Sequence, residues 1–296
     1  MACTTAGVIA GIDLTGTTAV VTGASAGLGV ETVRTLAGAG ARVLGTVRDR
    51  AKGEAALAGI DGVELVELDL ASLASVRAGA EAIRGRVDRI DLLVNNAGVM
   101  ATPLERTADG FELQLGTNHL GHFLFTTLLL DRVDGRIVNL SSRGHLRSGM
   151  RWDDPHFRQE PYDKWLAYGQ SKTANILFAV GLAARGNAAF AVHPGRILTE
   201  LPRHLTEQDF KEMAASGRTA VPIPTKTVEE GAATTIWAAT SAELDGRRGL
   251  YLEDCHVSTT QTTDPAVPEG HRPDAVDPAE AERLWAWSEE QVAKIA

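Results

Sequence analysis

Tyr168-Gly-Gln-Ser-Lys172 sets a phenol and an ammonium four positions apart. On a helix, residues i and i+4 share a face, with Cβ atoms roughly 5–6 Å apart. The apolar spacing of the following run, Thr173 to Leu182, predicts such a helix. A free tyrosine titrates near pH 10. An ammonium about 4–5 Å away, at an effective dielectric of about 20, favours the phenolate by roughly 3–4 kcal/mol. That brings the phenol toward a pH at which it can trade protons. The expectation is a proton-transfer pair with a lowered tyrosine pKa. The same spacing also describes a surface lysine beside a half-buried ring, so its company decides. Tyr162 competes poorly for the role, because position 166 is leucine.

The elements that position the pair can be read along the chain. Thr18–Thr22 is a β-branched run that breaks into Gly23-Ala-Ser-Ala-Gly27-Leu-Gly29, and a helical period from Val30 to Ala39 stops at Gly40. Ala41–Val47 reads as a strand ending at Arg48, and Val63–Leu68 alternates before Asp69 opens a loop. Ser72–Ile83 is helical in pattern, and Ile90–Val94 closes on Asn95-Asn-Ala-Gly98. A long amphipathic stretch from Gly110 to Leu130 precedes Gly135–Leu140, and Ala188–Val192 runs into His193-Pro194-Gly195. Short strands alternating with helices predict βαβ units and an α/β fold: one doubly wound domain over 1–296, with a central parallel sheet flanked by helices. Pro222–Pro224 and Thr259–Pro278 read as loops, and Asp277-Pro278 starts a C-terminal helix through Trp285 and Trp287.

Composition narrows the class. The chain has 296 residues, 44% hydrophobic and 23% charged, with a net charge of −9, and no basic cluster suits nucleic acid or an anionic membrane. Two cysteines, Cys3 and Cys255, without Cys-x-x-Cys or histidine-rich spacing argue against a disulfide framework and against any metal site, and fit a reducing compartment. No run reaches the 18 or so apolar residues of a membrane span, and the N-terminus lacks a basic then apolar leader. A cytoplasmic protein is expected.

The glycines after the first strand are spaced G-x-x-x-G-x-G. Glycines there permit a tight turn and let backbone N–H groups approach a pyrophosphate at a helix N-terminus. Thr22-Gly-Ala-Ser-Ala-Gly-Leu-Gly29, Asp69, Asn95-Asn-Ala-Gly98, Asn118, Ser142, Tyr168-x-x-x-Lys172 and Pro194-Gly195, in that order, resemble the short-chain dehydrogenases/reductases over roughly residues 15–200. The glycine spacing is that of the non-extended type. Tyr-Gly-Gln-Ser-Lys-Thr-Ala-Asn-Ile-Leu and the long gap after Ser142 are similar to the retinol dehydrogenase and protochlorophyllide reductase-like branch, though the hydrophobic N-terminal anchor of many retinol dehydrogenases is missing.

The resemblance implies a Rossmann-type domain and hydride exchange between a nicotinamide cofactor and a carbonyl or alcohol. It implies Tyr168 as general acid/base, Lys172 lowering its pKa and gripping the nicotinamide ribose, Ser142 polarising the carbonyl, and Asn118 holding a relay water. Ser141, next to Ser142, is expected to be structural. Cofactor contacts are implied at Gly23, Ser25, Ala26, Gly27, Leu28, Gly29, Asp69, Leu70, Asn95, Ala97, Gly98, Pro194, Gly195 and Thr199, besides Tyr168 and Lys172. Where NAD-specific relatives carry an acid, this chain has Val47 followed by Arg48, so NADP (NADPH) is expected over NAD. Specificity is expected in the insertion-like stretch His145–Trp165, with Met150, Trp152, Phe157 and Trp165, and in a lid at about 199–226 with Leu201, His204 and Phe210, although these aromatics read equally as ordinary loop packing. A tail with a helix occupies about 259–296. A small apolar carbonyl or alcohol as substrate and a homodimer or homotetramer complete the expectation. Two alternatives remain: reduction of C=C or imine bonds on the same scaffold, and an NADP-binding sensor without turnover. His119, His122 and His193 read as packing residues.

Overall fold

Seven of the eight strands in the main sheet run parallel. The computed structural model describes residues 3–197, 225–264, 267 and 269–295. In chain order the elements are α1 (Thr5–Ile9), β1 (Thr18–Thr22), α2 (Gly27–Gly38), β2 (Arg42–Val47), α3 (Arg50–Ala56), β3 (Val63–Glu67), α4 (Leu73–Arg84), β4 (Ile90–Asn95), α5 (Leu113–Leu115), α6 (Gly121–Leu129) and β5 (Val133–Leu140). There follow α7 (Lys164–Ala184), β6 (Ala188–His193), β7 (Arg196–Ile197), β8 (Thr225–Lys226), α8 (Val228–Thr240), β9 (Leu250–Glu253), β10 (His256–Val257) and α9 (Pro278–Ala293). β7 and β8 pair separately, and β10 is the antiparallel edge strand. Thr199, residues 199–224 of the lid expected at about 199–226, with Leu201, His204 and Phe210, and the Pro222–Pro224 loop lie outside the described residues.

Strand alternation sorts the core into two layers. Val20, Leu44, Leu93 and Ile137 face one side, where they pack against residues of α4, α6, α7 and α9 such as Ile83, Phe125, Phe178 and Trp285. Val21, Val43, Val94 and Val138 face the other, against Val33, Leu36 and Ile236 of α2 and α8. A sheet covered on both faces explains why its strands read as continuous apolar runs. The order β3-β2-β1-β4-β5-β6 puts the topological switch between β1 and β4, and ligands of such sheets bind beyond the carboxyl ends at that point. Six of the residues singled out in the sequence leave the strands at that edge, Gly23 after β1, Arg48 after β2, Asp69 after β3, Ala97 after β4, Ser142 after β5 and Gly195 after β6, while Tyr168 and Lys172 lie on α7.

Two stretches take local forms that the sequence left open. The amphipathic Gly110–Leu130 stretch is interrupted: α5 passes through a π-helical turn, Gly116–Leu120, before α6 begins. In the 145–165 insertion, Met150 and Trp152 support α9, whereas Phe157 and Trp165 pack within the loop. Met150 and Trp152 join Leu177 and Trp287, and Trp152 Nε1 donates to Glu280 Oε2 at 2.8 Å. Phe157 is buried between the Arg151 guanidinium and the Tyr162 ring, and Trp165 lies beneath Arg147.

The cysteines, expected to stay unbridged, form a disulfide between Cys3 and Cys255, with Cα atoms 6.6 Å apart across 252 positions of sequence. Spacing could not reveal it, because only the docking of α1 on α2 and α8 brings Cys3 to the β9–β10 turn. Cross-links stabilise chiefly by restricting the unfolded chain. Denatured, unreduced protein is expected to show no free thiol, and Cys3→Ser to lower unfolding free energy by about 2–4 kcal/mol in denaturant titration. Two titratable thiols in the unreduced protein would refute the bridge.

Candidate active site

The glycine turn is built by close approach. Gly23 has φ +73°, and a Cβ there would lie 2.9 Å from Ala97 Cα and Cβ; one on Gly29 would lie 2.1 Å from the Gly23 carbonyl oxygen. Asn96, unremarked in the sequence, fastens this turn by donating from Nδ2 to the Thr22 carbonyl at 2.7 Å. α2 starts at Gly27 behind Ala26, which offers no side-chain cap. Its first N–H groups have no acceptor within the helix, so this glycine cradle fits a pyrophosphate. Ser25, Ala26, Gly27 and Leu28 form its half-exposed rim. Arg48 stands exposed just past the buried Val47. Asp69 is spent partly on its own loop, accepting from Ala71 N at 2.9 Å, while Leu70 is buried.

Asn95 is placed differently from its neighbours. Its amide turns into the interior and donates to Thr126 Oγ1 and Asn139 Oδ1, both at 2.8 Å, so the side chain ties β4 to α6 and β5. Ala97 and Gly98 continue along the cleft. Gly98 faces Asn118 Oδ1 and Lys172 Nζ, 3.0 and 3.5 Å from where its Cβ would sit.

The four expected catalytic residues converge. α7 begins at an Asp163 cap and carries Tyr168 and Lys172 on one face toward β5. Gly144 lets the phenol reach the end of β5, since a Cβ there would lie 2.6 Å from Tyr168 Cε1. The Tyr168 ring and Ser142 border the same space at Gly144, where that Cβ would also lie 3.5 Å from Ser142 Oγ, and Ser142 Oγ accepts from Gly144 N at 3.0 Å. Ser141 is structural, its hydroxyl donating to the Lys172 carbonyl at 2.8 Å. Asn118, fully buried in the π turn, donates from Nδ2 to Val99 O and Ser171 Oγ and accepts Val99 N at 2.8 Å. Gly195, with φ +91°, lies under the Lys226 side chain, and His193 Nδ1 faces both Gly195 N and Arg143 N. Burial pushes His193 down to about 3, so it is neutral and serves as that acceptor.

The electrostatics differ from the sequence expectation. Burial pushes the Tyr168 phenol up to about 12, opposed by the Ser142 side chain. The expected lowering assumed a solvated ammonium at close range. Lys172 Nζ is instead 5.7 Å from the ring centroid and donates to the Leu140 carbonyl at 3.0 Å. Burial lowers Lys172 itself from 10.5 to about 8. Both groups are thus pressed toward their neutral forms. Among the described residues no cluster of three histidine, cysteine or carboxylate side chains could hold a metal, and no helix is long and apolar enough to cross a membrane.

Comparisons with known proteins agree with this geometry. A family model described as short chain dehydrogenase matches residues 17–209. A "Probable oxidoreductase" of Streptomyces lividans is 45% identical, covering 93% of this chain and 97% of that protein. Human retinol dehydrogenase 12 is 38% identical over 93% of this chain and 85% of its own length. The solved Pseudomonas aeruginosa RhlG/NADP active-site complex superposes with a TM-score of 0.63 at 26% identity, covering 81% of this chain and 95% of that one.

The buried lysine carries a stability cost with a defined pH window. Its folded pKa lies below 10.5, so the unfolded chain keeps the proton to higher pH. The cost is present in full below about pH 8 and is relieved as pH rises from about 8 toward 10.5. Leu140 O keeps a second donor, Asn175 Nδ2 at 2.8 Å, when the ammonium is removed. Lys172→Met is therefore expected to stabilise the protein at pH 7 by about 1–3 kcal/mol, with the gap to wild type closing above pH 10. Chemical denaturation at both pH values checks it; a destabilised variant at pH 7 would contradict the assignment.

Proposed function

This chain belongs to the short-chain dehydrogenase family, and we propose that it is an NADP-dependent reductase of carbonyl groups, with Tyr168 as proton donor. The observation that carries the reading is the convergence beyond the carboxyl end of β5, where the Tyr168 ring and Ser142 Oγ meet at Gly144 and Lys172 Nζ and Asn118 Oδ1 meet at Gly98. NADPH, held by the cradle of Gly23, Gly27 and Gly29, supplies the hydride when bound. The residues of the chain do the rest. Ser142 orients the carbonyl oxygen toward the phenol and polarises it. Tyr168 Oη gives up its proton as negative charge develops on that oxygen. An alkoxide rivals hydroxide as a base, with water titrating near roughly 15.7, so transfer from a phenol at about 12 runs downhill. Lys172, still largely protonated at pH 7, compensates the phenolate left behind.

Arg48, exposed at the end of β2, is the proposed partner of the 2′-phosphate. The NADP complex of the structural relative supports that cofactor, and a retinol dehydrogenase among the sequence relatives supports an apolar alcohol or carbonyl as substrate. Asp69 and Leu70, Ala97 and Gly98, and Pro194 and Gly195 are the proposed walls for the adenosine, ribose and nicotinamide. Asn95 supports them from beneath through its bonds to β5 and α6.

Consumption of NADPH by purified protein against ketones, aldehydes, enones and imines tests the reaction class. Turnover of a ketone or aldehyde is expected, with Tyr168→Phe lowering kcat by about 10²–10⁴-fold while NADPH affinity is retained. Activity that survives Tyr168→Phe would remove Tyr168 as the donor. Turnover confined to enones or imines would move the reaction to C=C or C=N bonds, and binding without turnover would make the protein a sensor. For the cofactor, Arg48→Asp is expected to shift the NADPH-to-NADH preference in kcat/KM by about ten- to a hundredfold toward NADH; an unchanged ratio would exclude Arg48 as the phosphate partner.

A further inference from the structure

Thr22 Oγ1, at the end of β1, lies 2.8 Å from His122 Nε2, 2.9 Å from Asn96 N and 3.0 Å from Ala97 N. A hydroxyl has one hydrogen and two lone pairs. The two backbone N–H groups fill the lone pairs, and Val94 O is distant at 3.5 Å, so the hydroxyl hydrogen points to Nε2. On the other side of the ring, His122 Nδ1 is 3.0 Å from the Asn118 carbonyl oxygen, which can only accept. Both ends demand the same tautomer, with the ring proton on Nδ1. The ring is 1% exposed, and burial together with the Lys172 charge pushes its pKa down to about 4, so it has a single N–H near neutrality.

We infer that His122 is a positioning residue: an Nδ1-protonated strut that fixes the span between the Asn96–Gly98 segment beside the glycine cradle and the Asn118 turn beside Ser171 and Lys172. The inference rests on the proposed roles of Asn118 and of Ala97 and Gly98. Through Thr22, the ring holds the two N–H groups that place Ala97 against Gly23. Through its own N–H it reaches back one turn to Asn118, within the π turn whose wider ladder recurs at functional sites. It touches neither the phenol nor the expected path of the hydride, so it acts on the reaction only through Asn118 and Thr22.

Two replacements separate its two ends. An asparagine amide overlays the Nδ1 position and keeps the bond to Asn118 O while losing Thr22. A glutamine amide reaches the Nε2 position and keeps Thr22 while losing Asn118. His122→Gln is expected to lower kcat by about tenfold or more, with NADPH Kd moving less than about threefold, since small misplacements of a reacting constellation cost this much. His122→Asn is expected to act chiefly on the cofactor, weakening NADPH Kd by about three- to tenfold with the smaller loss in kcat. NADPH Kd is read by the fluorescence of the bound dinucleotide. Imidazole ¹⁵N NMR of the wild-type protein is expected to report the Nδ1–H tautomer of His122 near neutral pH.

An Nε2–H or doubly protonated ring would overturn the inference. So would variants that lose kcat and NADPH affinity in equal proportion, as a ring that only fills space would. If wild type reduces no carbonyl, the proposed reaction fails, while the tautomer and the NADPH Kd of the two variants still decide the strut.

Discussion

Burying the Lys172 ammonium sets terms for everything around it. A charge removed from water must be met by acceptors, and here the last carbonyl of β5, Leu140 O, meets it. That carbonyl lies where the parallel ladder ends and the chain turns toward Ser142. Asn175, one turn farther along α7, donates to the same oxygen, and Ser141 closes the loop onto the Lys172 carbonyl. Gly98 stays bare because Asn118 and Nζ fill the space a side chain would need. The end of β4, the π turn and α7 thus converge on one polar point, and the phenol one turn before Lys172 is oriented as a consequence.

That convergence explains which parts of the molecule were legible in the sequence. The strands were, because burial on both faces makes Thr18–Thr22, Ile90–Asn95 and Ala188–His193 continuous apolar runs. Ser72 and Asp277 announced α4 and α9 through capping chemistry that is local to a few residues. The meeting of Asn118, Ser142, Tyr168 and Lys172 followed from their order and the resemblance it carries. What stayed hidden depends on contacts far apart in sequence. The break in the Gly110–Leu130 stretch is a single widened turn with neither a side-chain cap nor a proline, so no local signal marks it. Trp152 and Phe157 have the composition of a substrate wall, yet α9 and Tyr162 claim them. Cys3 and Cys255 sit at opposite ends of the chain.

The histidines show the same limit in sharper form. His119, His122 and His193 read as packing residues, and all three are buried. Yet each also bonds through a ring nitrogen: His119 to Ser288 of α9, His122 to Thr22 and Asn118, and His193 to the N–H groups flanking the Ser142 and Gly195 loops. Desolvation keeps them neutral, and a neutral imidazole is a donor on one side and an acceptor on the other. In His122, partnered on both nitrogens, that polarity links two segments with fixed direction. Sequence shows the residue type but not the two partners that give it direction.

The fate of the tyrosine–lysine pair is settled by magnitudes. A solvated ammonium at close range favours a phenolate by roughly 3–4 kcal/mol at an effective dielectric of about 20. Here the ammonium lies 5.7 Å from the ring centroid, bonded to a carbonyl, and pays its own desolvation. Burial wins for both partners, leaving a phenol at about 12 beside an amine at about 8. In the proposed reaction, a site poised this way holds the proton to be given at neutral pH, which suits reduction of a carbonyl. Oxidation of an alcohol asks the same phenol to begin as a base, and the burial that favours the first direction opposes the second.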